Sequence, residues 1–169
     1  MNSIYTTLSV LALSVAATAQ ADWTATTSGT PPSRAALVNG SDLSGFVIFG
    51  GNIAGGTKLN EVWRFDGTAW TNLTPASGPM PIGRHWGGGA VDFARQKLVI
   101  FGGTNDNSTW LGDTWEFDLV AGTWTDVTPA NPANSPSPRR WTTMSYDSFR
   151  GECLLYGGQD QANTILSDT

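Results

Sequence analysis

Charge is scarce in this chain of 169 residues. Asp, Glu, Lys and Arg together make up 14% of it, against about 25% in an average soluble domain. Lysine is nearly missing, with only Lys58 and Lys97, and no basic run or stripe occurs anywhere. That pattern argues against a nucleic-acid partner, which would need a positive footprint. The formal charge of -5 reads as an ordinary soluble surface. Cysteine occurs once, as Cys153, which excludes an internal disulfide framework and leaves stability to packing. Beside Leu154 it reads as a small buried hydrophobe, with no adjacent cation arranged to activate the thiol. Histidine also occurs once, as His85, and one His without a Cys or carboxylate cluster at ligand spacing does not make a metal site. No stretch sustains a helical period, and no apolar run reaches the ~20 residues that span a bilayer.

Glycine (20), tryptophan (8) and proline (9) are plentiful instead, a composition of short strands and tight turns. Residues 1–21 stand apart. They carry no charged side chain, and Leu8 to Ala17 is apolar apart from two serines. Ala19-Gln20-Ala21 has the small-x-small form of a signal-peptidase site, so a leader cleaved after Ala21 is expected, with a secreted or periplasmic product beginning at Asp22. The leader departs from the usual pattern in having no Lys or Arg before its apolar core. A membrane anchor is the alternative, for which the core is short.

The rest of the chain repeats itself. Phe46-Val47-Ile48-Phe49-Gly50-Gly51, Leu98-Val99-Ile100-Phe101-Gly102-Gly103 and Leu154-Leu155-Tyr156-Gly157-Gly158 are one phrase, with Gly pairs 52 and 55 residues apart. Twelve residues beyond the second Gly come Trp63 and Trp115, then a second Trp at Trp70 and Trp124 leading into T-x-[LV]-T-P. A Pro-rich loop follows and ends in Arg34, Arg84 or Arg139. Periods of this length mark repeat architectures.

Each unit predicts four short strands. The first is Ala35–Asn39, Trp86–Val91 or Trp141–Tyr146, and the second is the run into the Gly pair, apolar on both faces as a buried strand should be. The third starts near Trp63 or Trp115, and an Asp (Asp66, Asp118) with a Gly (Gly67, Gly122) turns the chain. The fourth carries the second Trp and stops at Pro75 or Pro129, where an N–H is missing. Turn signals every ten or so residues predict an all-β chain. Two glycines allow positive φ and a close approach by backbone or ring. Trp rings are the expected occupants, with Trp63 and Trp115 as wedges between sheets.

These residues together resemble the Kelch repeat: a Gly pair, an aromatic twelve residues on, an Asp, a second Trp and P-x-R before the next strand. The resemblance covers residues 23–169. It implies a β-propeller of four-stranded blades, typically 4–8 around a channel. The expected parts are a solitary fourth strand at 22–28, blades at 31–75 and 80–129, and a partial blade at 136–169. About two and a half blades fall short of a ring at ~50 residues each. The chain therefore reads as an N-terminal portion of a longer propeller, with self-association of arcs through exposed blade edges as the alternative.

Candidate chemistry is sparse. Gly87-Gly88-Gly89 lacks the Lys-Ser/Thr and helix of a phosphate loop. The Asp118 and Asp66 turns resemble the Asp box of sialidase propellers only faintly. Some Kelch propellers resemble galactose oxidase, but one His and the two tyrosines Tyr146 and Tyr156 supply no copper set here, so no cofactor is expected. Function then falls to loops on a rigid scaffold. By resemblance, the loops on one propeller face hold Arg34, Arg84, His85, Arg139 and Arg140 in one set, and 52–60, 104–113 and 159–168 in the other. The candidate ligand-binding residues are Trp110, Asn105, Asp106, Arg84, His85, Arg139 and Arg140. Trp110, outside the repeat's own Trp positions, either stacks on a sugar or anchors a peptide, or folds back onto Trp115 or its Pro-rich neighbours. The arginines either take carboxylates bidentately or make a recurring structural hydrogen bond. The expected function is an exported module binding a protein or glycan. The alternatives are part of an exported sugar-processing enzyme (an oxidase or sialic-acid epimerase) and a structural repeat in a larger surface protein.

Overall fold

A computed structural model describes residues 29–42 and 45–169. The expected leader and the Trp23–Thr24 strand lie outside the described residues. The fold is all-β, and every strand pairing is antiparallel. The first repeat is a sheet in chain order: β1 Val38–Asp42, β2 Gly45–Phe49, β3 Val62–Phe65 and β4 Trp70–Asn72. The second repeats it as β5 Gly88–Asp92, β6 Lys97–Phe101, β7 Thr114–Asp118 and β8 Thr123–Asp126. The third comprises β9 Arg139–Arg140, β10 Thr143–Asp147, β11 Glu152–Tyr156, β12 Gly158–Asp160 and β13 Ile165–Leu166. There β10 pairs with β11, while β12 sits between β13 and β9. Registers agree across repeats: Val38 opposes Phe49, Gly88 opposes Phe101 and Thr143 opposes Tyr156.

First strands begin later than the sequence predicts, and the cause is local. Ala36, Trp86 and Trp141 hold φ of 56°, 61° and 59°, far from strand values, so the ladder starts only beyond them. Innermost strands β1, β5 and β10 lie side by side. Their close approach explains Gly88 and Gly89: a Cβ on Gly89 would overlap Val38 Cγ1, and one on Gly88 would lie 2.8 Å from Met144 Cγ.

Pleating gives each sheet two faces, and stacking the repeats joins unlike ones. The forward face of the first sheet supplies Val38, Val47, Phe49 and Val62, all buried. The backward face of the second supplies Val91, Leu98, Ile100, Phe117 and Trp124 to the same cluster. Phe49 meets Trp124 edge-on at 4.9 Å between ring centroids. The wedge between sheets is thus the fourth-strand Trp124, 3% exposed, whereas Trp115 only flanks the cluster.

The Gly pairs accommodate backbone, not the indole rings expected from the sequence. Gly102 and Gly103 have φ of 66° and 89°; a Cβ would come 2.6 Å from Arg139 O on the first and 2.5 Å from His85 O on the second. Through this contact one arginine joins two repeats. Arg84 O accepts from Gly51 N–H at 2.8 Å, and Arg84 N–H donates to Leu59 O at 3.1 Å, both in the first repeat. Its side chain serves the second repeat: Nη1 donates to Gly102 O at 3.2 Å, while Nη1 and Nη2 grip Asp113 at 2.6 and 2.7 Å. Trp115 Nε1 donates to the same carboxylate at 2.8 Å. Arg139 repeats the arrangement with Gly157 O and Asp168. Arg34 does so with Gly50 O and Glu61, which also accepts from Trp63 Nε1. Of the two roles open to these arginines, the geometry displays the structural one.

Burial alone would raise the Asp113 carboxyl, but the hydrogen bonds and charge of Arg84 outweigh it and hold the group below the usual carboxylate range. A depressed folded-state pKa contributes stability above the unfolded value, roughly 4, and loses it as pH falls through the folded one. Asp113→Asn strands Arg84, which is fully buried, and is expected to cost about 3 kcal/mol at pH 7. In urea titrations that difference from the unsubstituted chain should shrink as pH drops below about 4. Gly103→Ala combines a left-handed φ with a backbone clash and should cost about 2 kcal/mol or more in the same assay.

Candidate recognition site

The turns before β5 and β10 spell the same tripeptide form, Arg84-His85-Trp86 and Arg139-Arg140-Trp141. In both, the Arg locks inward and the chain reverses at the Trp. The three left-handed residues then link repeat to repeat: Trp86 N–H donates to Ala36 O at 2.9 Å, and Trp141 N–H donates to Trp86 O at 2.7 Å. A bulky residue at positive φ costs on the order of 1 kcal/mol or more, so two indoles are held at the inner rim against local preference.

Around them a cation and four rings assemble. The Arg140 guanidinium lies 3.9 Å from the Trp141 ring centroid, 4.0 Å from Trp110 and 5.1 Å from Trp86. Gln159 Oε1 accepts from Arg140 Nε and Nη2 at 3.1 and 2.9 Å. Among the described residues Arg140 meets no carboxylate, unlike its neighbour Arg139. His85 stacks on Trp86 at 3.9 Å, and Trp86 meets Trp141 edge-on at 5.5 Å. Trp141 is 50% exposed and gives the cluster its open side.

His85 is buried, with Nε2 2.7 Å from Asn107 Oδ1. Since that oxygen only accepts, Nε2 carries the proton of the neutral ring. Burial pushes the imidazole pKa below its ordinary value, the Asn107 hydrogen bond opposes, and the Lys58 and Arg140 charges push the same way as burial. The ring is therefore neutral at pH 7 and stacks as an aromatic.

The 104–113 loop is anchored to the next repeat. Trp110 is buried; its Nε1 donates to Asp160 O at 2.6 Å and its N–H to Gln161 Oε1 at 2.8 Å. Gln161 Nε2 donates back to Ser108 O at 2.7 Å. Trp110 thus folds inward, but onto Arg140 and the 159–161 loop, not onto Trp115 or the Pro-rich segment. Asp106 shapes the turn: its carboxylate accepts from Ser108 and Thr109 N–H at 2.8 Å, and these bonds hold its pKa well below the carboxylate range. Asn105 is exposed at the loop tip. Arg84 and Arg139 are fully buried in their ion pairs.

The structure therefore brings His85, Arg140 and Trp110 together and sets Asn105 and Asp106 on the loop beside them. Sequence reasoning missed Trp86 and Trp141, which it assigned to strand starts. The available signal was the recurring Arg-x-Trp, with Ala36 replacing Trp in the first repeat. It also missed the acid two residues before each third-strand Trp position, at Glu61, Asp113 and Asp168. Cys153 is half-buried, and burial, with Asp92 adding, raises its thiol to about 11. Among the described residues no three His, Cys, Asp or Glu side chains gather as a metal site, and no helix is long and apolar enough to cross a membrane.

A model of the KLHDC2/KLHL20/DRC7 Kelch-repeats domain matches residues 5–169, beginning within the expected leader. An F-box/kelch-repeat protein of Arabidopsis thaliana is 31% identical over 162 residues, covering 86% of this chain and 32% of the relative. Dynein regulatory complex subunit 7 of Chlamydomonas reinhardtii is 30% identical over 115 residues, covering 66% of this chain and 10% of the relative. The chain thus spans about a third or less of these relatives' lengths. Among solved structures, that of YjhT superposes with a TM-score of 0.63 at 15% identity, covering 81% of this chain and 42% of that one; it supports the propeller fold alone. With the Gly pairs, the arginine bridges and the four-stranded blades in register, the chain belongs to the Kelch-repeat family, whose domains typically act as protein-interaction modules.

Proposed function

We propose that this chain is an exported recognition module that takes a protein ligand on the rim formed by its lead-in turns and second-to-third-strand loops. The observation that carries the reading is Arg140. Its guanidinium is fixed by indole faces and Gln159, lacks a carboxylate among the described residues, and adjoins a half-exposed Trp141. Arg and Trp in such settings are the residues that dominate binding energy at interfaces. Preorganisation by Trp110 and Gln159 spares the ordering cost of a long side chain. A polar or negatively charged segment of the partner would complete the hydrogen bonding of Arg140, with an apolar group against Trp141. Export rests on the Leu8–Ala17 run and the Ala19-Gln20-Ala21 site, and N-terminal sequencing of the mature product at Asp22 would check it.

Affinity capture by the whole chain followed by quantitative binding, with a glycan array in parallel, tests the reading. Trp141→Ala and Arg140→Ala should each weaken binding of the captured protein by at least about 2 kcal/mol, roughly thirtyfold in Kd. Val120→Ala, 82% exposed at the opposite end of the blade, should leave it unchanged. Full binding by both rim variants, or glycans alone as ligands, would overturn the proposal.

A further inference from the structure

Hydrogen bonds set the segments leading out of the first and second repeats in register. Arg84 Nε donates to Ile82 O at 3.2 Å and Arg139 Nε to Ser137 O at 3.0 Å. Four residues before each arginine, Ser135 therefore takes the place of Met80. Arg84 N–H donates to Leu59 O and Arg139 N–H to Leu111 O, both at 3.1 Å, so Gly112 takes the place of Asn60. In the first repeat these two side chains meet. Asn60 Nδ2 donates to Met80 Sδ at 3.1 Å, and Met80 packs on the core cluster between the sheets. The second repeat has neither side chain.

A cleft of about 490 Å³ stands there, walled by Pro129, Pro132, Pro136 and Pro138 together with Gly112 and Ser135. Every residue lining it belongs to the second repeat or to the segment leading out of it. Pro138 takes up part of the room, since a Cβ on Gly112 would lie 2.8 Å from Pro138 Cγ. Ser135 is too short to refill the place of the Met80 side chain. It caps the turn Pro132–Asn134, its N–H donating to Pro132 O at 3.2 Å. Its Oγ is buried and has no hydrogen-bond partner among the described residues. Leaving a buried hydroxyl unpaired is costly, so the cleft calls for an acceptor from outside. Its size falls within the ~300–1,000 Å³ of ligand clefts, and proline walls hold their shape.

We propose that this cleft binds a methionine side chain presented by a partner polypeptide, with the Ser135 hydroxyl donating to the thioether sulfur. The first repeat shows the arrangement satisfied from within the chain, Met80 being the occupant and Asn60 the donor. An unbranched, adaptable side chain suits a narrow proline-walled cleft, and its sulfur is a weak acceptor. None of the lining residues belongs to the Arg140 cluster. The site therefore stands or falls independently of the recognition reading.

Titrating the isotope-labelled whole chain with the peptide N-acetyl-Ala-Met-Ala-amide, followed by NMR, tests it, with N-acetyl-Ala-Ala-Ala-amide as control. The methionine peptide should shift the Gly112, Thr128 and Ser135 amides and saturate at about millimolar concentration. The alanine peptide should not. Ser135→Met plugs the cleft with the first repeat's own residue and should abolish the shifts at Gly112 and Thr128. Ser135→Ala keeps the room but loses the donor, and should bind about threefold more weakly. Arg140→Ala should bind the peptide as the parent does, which separates this site from the rim. Equal responses to the two peptides, no saturable shift, a folded Ser135→Met variant that still binds, or unchanged affinity in Ser135→Ala would overturn the proposal.

Discussion

Each repeat of this chain hangs on an arginine whose backbone lies in one sheet and whose side chain lies in the next. The main chain of Arg84 exchanges hydrogen bonds with Gly51 and Leu59, while its guanidinium is spent on Asp113 and Gly102 O. A fully buried guanidinium is tolerable only when its donors are satisfied in plane, which the carboxylate fork and a carbonyl accomplish. Other recurring residues follow from that need. The Gly pair gives the carbonyls room to approach, the acid supplies the counter-charge, and the third-strand Trp donates its indole N–H to the acid's remaining capacity. Hydrophobic stacking supplies most of the driving force, but a greasy contact between sheets is non-directional. The arginine bridge fixes the angle and height at which one blade meets the next.

The rim inherits its order from this bridge. Because Arg139 is clamped inward, Arg140 is driven to the opposite side of the chain, over the Trp141 and Trp110 rings. Two adjacent arginines thus have opposite fates, one neutralised inside the blade and one displayed among indoles. The 104–113 and 159–168 loops buttress it from both sides through Trp110, Asp160 and Gln161. A loop that by itself would have cost entropy to order is instead part of the rigid scaffold.

Much of the fold was legible in the sequence because its parts are written two or three times over. Gly pairs, Trp spacing and the T-x-[LV]-T-P stop each recur, so chance coincidence is filtered out by register. Residues with different jobs in different repeats were harder to read. Trp110 aligns with Lys58 and Ile165 in the bridging pattern of the loops, so its inward course depends on Arg140, thirty residues from it in the third repeat's own turn. Nor could Trp86 and Trp141 be distinguished from strand residues, since an indole is a good β former and positive φ is the last conformation it predicts. The roles of the two glycine motifs were likewise set by tertiary neighbours: carbonyls of the following arginine at Gly102 and the Val38 side chain at Gly89.

The left-handed residues Ala36, Trp86 and Trp141 are linked from repeat to repeat through backbone N–H and C=O groups. What lies beyond Cβ at this position is irrelevant to the suspension of one blade from the next, as Ala36 demonstrates. The inner rim is therefore a set of sockets whose mounting and cargo are chemically separate. Exchanging the cargo one socket at a time would let such a chain drift from one ligand to another while the scaffold beneath stays constant.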